Sequence, residues 1–223
     1  LRADLEVALQ EHPEGSPCRA PLERALAQVV RLSRLADDLL ALARYERGGL
    51  VRPVPGSDLT ASIRQALADV RHLAERAGVT VVADLPDRLE ATCDPAAVAR
   101  VVTNLLRNAV EASPQGGTVT VAAGQQGPWA WIEVEDEGPG MTPEQAARCF
   151  EPFYHSRPAS AGERDGAGTG LGLAISKAIV DAHDGRITLD TAPERGTRVR
   201  VWLPRGHRQP LPPAGLQEQA AAG

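Results

Sequence analysis

The chain has 223 residues, of which 43% are hydrophobic and 24% charged, a composition typical of a globular protein with one or two domains. Its net charge of −5 disfavours a nucleic-acid partner, because phosphate binding needs concentrated Lys and Arg. The three cysteines form no C-x-x-C pair, which disfavours a disulfide framework or a zinc site.

The first 47 residues carry a helical pattern with one break. Leu1, Leu5 and Leu9 recur every four residues and mark one apolar face. Pro and Gly within residues 12–17 interrupt the helix. A long second helix follows, and its apolar residues are spaced by three or four: Leu22, Leu26, Val29, Leu32, Leu35, Leu39 and Leu42.

Residues 1–49 are therefore predicted to form an antiparallel helical hairpin. Two helices bury such an apolar stripe poorly, so we expect a homodimer that completes a four-helix bundle. The alternative is a hairpin that packs on the rest of the same chain. Gly48 and Gly49 are expected to end the second helix and to act as a hinge.

Residues 50–205 are predicted to form a second domain, because helical and strand periodicities alternate along them. Ser57 or Asp58 can cap one helix, and Asp94-Pro95 opens another. The expected elements are helices at 58–77, from 94 onward and at 171–183, and strands at 79–83, 118–122, 130–134, 186–190 and 197–203. Residues 206–223 are rich in Pro, Gln and Ala and are expected to be disordered.

Two asparagines, Asn104 and Asn108, lie one turn apart on one face of a predicted helix. Their carboxamides can offer oxygen to a hard cation and N–H groups to phosphate oxygens, and Mg²⁺ takes few protein ligands. Taken alone, the pair is better explained as capping or bridging structure.

Asp136, Gly138 and Gly140 follow a predicted strand. A carboxylate at such a position can accept a hydrogen bond from the exocyclic amine of adenine, and glycines let the backbone approach the base. A plain turn that ends a strand has the same composition, so this motif alone is weak.

Two further segments flank a polar stretch. The aromatic run Phe150-Glu151-Pro152-Phe153-Tyr154 is predicted to anchor one end of residues 155–167, which are interpreted as a mobile lid; core packing is the alternative. The run Gly168-Thr169-Gly170-Leu171-Gly172-Leu173 opens a helix, whose exposed N–H groups can bind phosphates.

These four segments, in this order, resemble the N box, first glycine box, F box and second glycine box of the histidine-kinase catalytic domain. Gly196-Thr197 is similar to the final glycine box. The resemblance covers residues 51–204 and implies an α+β chain, in which the hairpin is followed by an α/β sandwich of the superfamily that includes gyrase, Hsp90 and MutL. It also implies that ATP lies between the N-box helix and the lid.

By residue match, the resemblance implies that Asn108 holds Mg²⁺ with help from Asn104, which makes both residues catalytic. Asp136 would recognise adenine, with Thr197 nearby. The full set of implied ATP-binding residues is Asn104, Asn108, Asp136, Gly138, Gly140, Tyr154, Gly168, Thr169, Gly170, Leu171, Gly172, Leu173 and Thr197.

The implied activity is that of a two-component sensor histidine kinase. Such an enzyme moves the γ-phosphoryl of ATP to a His of the dimer stem and then to an Asp of a response-regulator receiver domain. Residues 1–49 resemble the end of the dimerisation and phosphotransfer domain of membrane sensor kinases of the heavy-metal and OmpR-partner type. No H-E-x-x-[ST]-P box is present in the 223 residues. We therefore expect the acceptor His to be missing and this chain alone to be unable to phosphorylate itself there.

The chain starts at Leu1 inside a helical pattern and carries no apolar run that could span a bilayer. We interpret it as the cytoplasmic fragment of an inner-membrane sensor, with membrane contact only through segments missing from this chain.

Two other functions stay open. ATPases related to MutL or Hsp90 carry a Glu general base one turn before the Mg²⁺-binding Asn. Asn104 occupies that position and cannot take a proton from water, so hydrolysis is disfavoured. A non-catalytic nucleotide-binding scaffold is the second alternative, and the long hairpin disfavours an anti-sigma-type serine kinase.

Two positions depart from the family, which is often basic there. They are Glu111, whose carboxylate cannot assist phosphate binding as a cation would, and His155, for which Arg157 or Arg164 could substitute.

Overall fold

The computed structural model describes residues 1–13, 16–46, 51–155 and 169–206. The predicted hinge glycines and Gly168 lie outside the described residues. So do positions 156–167 of the predicted lid, with Arg157 and Arg164, and the tail from residue 207 onward.

The predicted helical hairpin is present, with α1 at Arg2–Glu11 and α2 at Arg19–Glu46. The Arg19 guanidinium closes the turn, because Nη1 donates to the carbonyls of His12 (2.9 Å) and Leu9 (3.4 Å). The C-terminal part of α2 packs on the second domain, where Leu42 joins the hydrophobic core. This half of α2 therefore packs on its own chain, which was the alternative to a bundle.

Other apolar residues of α2 are not covered by the second domain. Leu32, Leu39 and Leu40 are all exposed. They remain available to a further helix, so the dimeric bundle stays a prediction.

A five-stranded mixed sheet forms one layer of the second domain, in the order β2-β4-β5-β7-β6. The β2–β4 pair is parallel and the other pairs are antiparallel. The strands are β2 at Thr80–Asp84, β4 at Thr118–Gln126, β5 at Trp129–Asp136, β6 at Arg186–Thr191 and β7 at Thr197–Pro204. Strands β4 and β5 extend further towards their shared turn at Gly127 than the sequence pattern predicted.

A second, two-stranded antiparallel sheet was not predicted. It consists of β1 at Val54–Asp58 and β3 at Glu90–Cys93, with Ser57 opposite Ala91. The Ser57 hydroxyl donates to the Cys93 carbonyl at 3.1 Å and so reinforces the pairing.

Three long helices form the other layer: α3 at Leu59–Ala77, α4 at Pro95–Ala112 and α6 at Gly172–Ala182. Two of the three have a side-chain N-cap. Asp58 caps α3 through bonds to the N–H groups of Thr60 and Ala61, and Asp94 caps α4 in the same way. A short helix, α5 at Pro143–Arg148, was not predicted, although Thr142 and Gln145 form a capping box.

The core lies between the helices and one face of the large sheet. Its largest fully buried side chains come from both layers and include Ile63, Leu106, Ile132, Ile175 and Ile179. The expected α/β sandwich is therefore confirmed. Within it, α4 packs directly on α6, which brings the N-box helix against the second glycine box. Among the described helices, none combines the length and apolarity needed to cross a membrane.

Candidate functional site

The two N-box asparagines face the first turn of α6. Asn104 Nδ2 donates to the Gly172 carbonyl at 3.2 Å. A Cβ placed on Gly172 would lie 3.9 Å from Asn108 Nδ2, so this amide lies beside the same turn. Asn108 is exposed while Asn104 is half-buried. The structure thus brings together two motifs that are more than 60 residues apart in the chain.

The first turn of α6 has no side-chain cap among the described residues. Leu171 is fully buried and fixes the start of the helix, so this residue can offer only its backbone to a ligand. Thr169 Oγ1 accepts from the Leu171 N–H at 3.4 Å. An uncapped helix N-terminus beside two carboxamides fits a phosphate group, because its free N–H groups and the helix dipole favour anions.

Asp136 lies at the last position of β5, with only 8% of its surface exposed. Its Oδ1 accepts from the Gly138 N–H at 2.8 Å. Thr197 of β7 is its cross-strand partner, and Thr197 Oγ1 lies 3.2 Å from Thr191 Oγ1. The oxygens of a carboxylate accept hydrogen bonds, so the Asp136 side chain has the chemistry to accept one from the amine of a purine.

Gly140 sits where the loop after Asp136 meets the β6–β7 turn. Its φ of +65° is a left-handed conformation, and a Cβ there would overlap the Ala192 carbonyl. The Glu194 N–H donates to the Pro139 carbonyl at 2.7 Å in the same contact. Gly140 is therefore required for a close approach of two backbone segments, which fixes the loop beside Asp136.

Helix α4 connects the two ends of the candidate site. The Ala112 carbonyl, at its C-terminus, lies 3.0 Å from where a Cβ on Gly138 would be. Asn104 is eight residues earlier, or about 12 Å along the axis at 1.5 Å per residue. The buried carboxylate thus lies at one end of this stretch and the uncapped turn of α6 at the other, as a base and a phosphate chain would require.

The aromatic segment is anchored differently from the prediction. Phe153 is 56% exposed, so its ring does not anchor the segment in the core. The anchor is the backbone instead: the Phe153 N–H donates to the Gly170 carbonyl at 2.9 Å. A Cβ on Gly170, whose φ is +71°, would lie 2.9 Å from the Phe153 backbone. The Cζ atom of Arg148, at the end of α5, lies 4.7 Å from the centroid of the Tyr154 ring.

The two positions that depart from the family have different surroundings. Glu111 pairs with Arg107 at 3.5 Å. Burial raises the pKa of the Glu111 carboxyl, against the opposing effects of Arg107 and of Arg34 in α2. His155 is exposed, and its Nε2 lies close to Gly170.

Sequence reasoning missed two residues near Asn104 and the first turn of α6. Arg100 lies one turn before Asn104 on α4, and its Nη2 donates to Asp38 Oδ1 of α2 at 2.9 Å. Thr169 Oγ1 donates to Asp38 Oδ2 at 2.8 Å. The spacing of four between Arg100 and Asn104 could have indicated the first residue, but no local signal indicates Asp38.

No cluster of three or more His, Cys, Asp or Glu that could hold a metal ion occurs in the part of the chain that the structure describes. The sequence predicts the amide oxygens of Asn104 and Asn108 as the protein ligands of Mg²⁺. This sparse set suits Mg²⁺, which completes its shell with water and phosphate oxygens.

Comparisons with known proteins show similarity to one family. Residues 93–207 match the family described as histidine kinase-, DNA gyrase B-, and HSP90-like ATPase. The sensor protein IrlS of Burkholderia pseudomallei is 32% identical over 203 residues, which cover 91% of this chain and 42% of IrlS. The chain thus spans about two fifths of the length of this curated relative.

Two solved structures are also similar. A mycobacterial sensor histidine kinase, MprB, is 32% identical with a TM-score of 0.57, over 70% of this chain and 97% of that one. The histidine kinase AdeS of Acinetobacter baumannii is 25% identical with a TM-score of 0.69, over 91% of this chain and 94% of that one. At 91% of this chain, the second match includes at least part of the hairpin as well as the sandwich.

Proposed function

Because the chain belongs to the family of histidine kinase-, DNA gyrase B- and HSP90-like ATPases, we propose that it is the kinase part of a two-component sensor histidine kinase. Membership of this family implies ATP binding. The observation that carries the proposal is the shared geometry of α4 and α6. The uncapped turn of α6 faces Asn104 and Asn108, and the buried Asp136 lies at the other end of the same stretch of α4.

The residues have distinct roles in this proposal. Asp136 accepts a hydrogen bond from the adenine amine, and the N–H groups at the start of α6 bind the phosphates. Asn108 and Asn104 hold the Mg²⁺ ion, which neutralises charge on the phosphates when bound. The protein contributes mainly positioning and charge stabilisation, as is general for phosphoryl transfer.

In the proposed reaction, a neutral imidazole nitrogen forms a bond to the γ-phosphorus. The bond between that phosphorus and its bridging oxygen breaks, and ADP leaves. The phosphoryl group then passes to an Asp carboxylate of a response regulator. Asn104 supports transfer over hydrolysis, because a carboxamide cannot act as a general base towards water.

The assembly and the location of the whole protein are also proposals. A homodimer through the hairpin is supported by the exposed Leu32, Leu39 and Leu40 of α2. Because this chain spans only part of its relatives, we propose that the acceptor His and any membrane anchor lie in segments outside it, and that residues 1–223 are cytoplasmic.

A labelling experiment tests the proposal. A helix with an H-E-x-x-[ST]-P box is joined upstream of Leu1, and the product is incubated with Mg²⁺ and ATP labelled at the γ-phosphate. We expect acid-labile, alkali-stable label on the protein, none on the unextended chain and none after Asn108→Ala. Release of inorganic phosphate without protein label would favour the ATPase. Binding of ATP without either product would favour the scaffold.

A further inference from the structure

A carboxylate from the helical hairpin reaches the phosphate end of the candidate site. Asp38 of α2 uses both oxygens: Oδ1 accepts from Arg100 at 2.9 Å and Oδ2 accepts from Thr169 Oγ1 at 2.8 Å. Only 23% of the Asp38 side chain and 34% of the Arg100 side chain are exposed, so water screens this pair less than a surface ion pair. One carboxylate therefore holds α2 against both α4 and the start of α6.

Both partners of Asp38 belong to the face where the phosphates would lie. Arg100 precedes Asn104 by one helical turn and Asn108 by two, so the three side chains share one face of α4. Thr169 directly precedes the uncapped turn of α6. A carboxylate oxygen and a phosphate oxygen are both anionic acceptors, and a guanidinium and a hydroxyl donate equally well to either.

We propose that Asp38 competes with the phosphates of the nucleotide for Arg100 and Thr169. In the structure the hairpin carboxylate occupies both donors. When α2 withdraws, Arg100 and Thr169 turn to the phosphates, and Arg100 becomes a phosphate-binding residue. The inference rests on the proposed function, because it concerns the same site.

The competition couples the hairpin to the nucleotide. Docking of α2 lowers the affinity for ATP, and by thermodynamic reciprocity ATP lowers the affinity of the domain for docked α2 by the same factor. A movement of the hairpin therefore changes the fraction of sites occupied by nucleotide, although α2 does not contact the base.

The first test removes the competing carboxylate. We expect Asp38→Ala in the full chain to bind ATP about tenfold more tightly than the wild type, equivalent to about 1.4 kcal/mol, because the nucleotide no longer displaces Asp38. Asp37→Ala is the matched control, since Asp37 is an exposed carboxylate on the same helix and its loss changes the net charge equally. We expect it to leave the affinity unchanged.

Titration calorimetry with adenosine as a second ligand separates competition from simple opening of the site. Adenosine has no phosphates, so we expect its affinity to be the same in the wild type and in Asp38→Ala. An equal gain for adenosine and ATP would contradict the competition, and so would an unchanged affinity for ATP.

The role of Arg100 needs a variant without the competing carboxylate. The double variant Asp38→Ala/Arg100→Gln is expected to bind ATP about tenfold more weakly than Asp38→Ala, with adenosine binding unchanged. If the single and double variants bind ATP with equal affinity, Arg100 serves only to hold α2, and its assignment as a phosphate-binding residue is overturned. If the folded wild type and Asp38→Ala both bind no ATP, the proposed function itself fails. If both bind ATP equally, only the competition fails.

Discussion

The Nε2 atom of His183, just after the C-terminus of α6, accepts a 2.9 Å hydrogen bond from the main-chain N–H of Asp94, the N-cap of α4. The Nδ1–H of the same ring donates to the Ile179 carbonyl at 2.7 Å. At the other end of α6, the Gly172 carbonyl accepts from Asn104 in the middle of α4. Both ends of α6 are thus bonded to α4, which holds Asn104 and Asn108 against the first turn of α6.

His183 predicts a dependence of stability on pH. Burial lowers the pKa of His183, against smaller opposing effects of the Ile179 carbonyl and Asp94. The unfolded chain therefore binds a proton at a pH where the folded chain does not. The free energy of unfolding should fall as pH drops below about 6.5 towards the folded pKa, by at most about 1.4 kcal/mol per pH unit.

Urea denaturation between pH 5 and pH 7.5 measures this slope, and His183→Gln should flatten it. His72→Gln is the matched control for the loss of one His, because His72 is exposed on α3. An unchanged slope in His183→Gln would show that other groups cause the pH dependence.

Gly140 predicts a large loss of stability on a minimal substitution. Gly140→Ala combines a left-handed φ with overlap against the Ala192 carbonyl, so we expect it to cost about 3 kcal/mol or more. Gly127 also has a positive φ but open space around it, and Gly127→Ala should cost only about 1 kcal/mol. Equal shifts of the denaturation midpoints would contradict the close backbone contact.

The exposed Leu39 side chain of α2 leads us to expect that the hairpin forms a homodimer. Introducing a charge by Leu39→Glu should weaken self-association at least about tenfold, because burial of one Leu contributes about 1.5–3 kcal/mol. Val82→Glu, at an exposed apolar position of edge strand β2, should have no effect on association. Sedimentation equilibrium measures both, and a wild type that stays monomeric at high concentration would rule out the homodimer.

Helices with their own boundary signals could be predicted from the sequence. Asp94 and Pro95 mark the start of α4, and the structure has its N-cap and first helical residue there. Strands β1 and β3 gave no such signal. Pro55 and Gly56 disfavour a strand, and the pairing of Ser57 with Ala91 joins residues 34 positions apart (91 − 57). Helix α5 does have a local signal, the capping box of Thr142 and Gln145.

In the candidate site, too, the local motifs could be predicted from the sequence, whereas the contacts between distant segments could not. Its motifs could be found one by one, since each has a local composition suited to a nucleotide. The proximity of these motifs in space depends on how α4 packs against α6, and the sequence of a single segment does not specify that packing. The contact between Asp38 and Thr169 spans 131 positions and joins two side chains of ordinary surface character, so sequence periodicity could not indicate it.

We expect the effect of Mg²⁺ on the affinity for ATP to depend on Asn108. Its side chain is exposed and beside Gly172, so Asn108→Ala should leave the melting temperature nearly unchanged. In the wild type, ATP should bind more tightly with Mg²⁺ than with EDTA, and this difference should disappear in Asn108→Ala. A variant that keeps the full magnesium effect would remove Asn108 from the proposed metal site.

Titration of the 223-residue chain with ATP by calorimetry, for the wild type and Asp136→Asn, is the most direct test of nucleotide binding between α4 and α6. The Asn side chain keeps an Oδ1 acceptor for the Gly138 N–H but loses the charge that we propose interacts with the adenine amine. We expect one ATP per wild-type chain, a loss of affinity of about tenfold or more in Asp136→Asn, and no loss in Glu135→Gln, the neighbouring carboxylate on the opposite face of β5. A folded wild type that binds no ATP, or an Asp136→Asn variant that binds it as tightly as the wild type, would contradict the site.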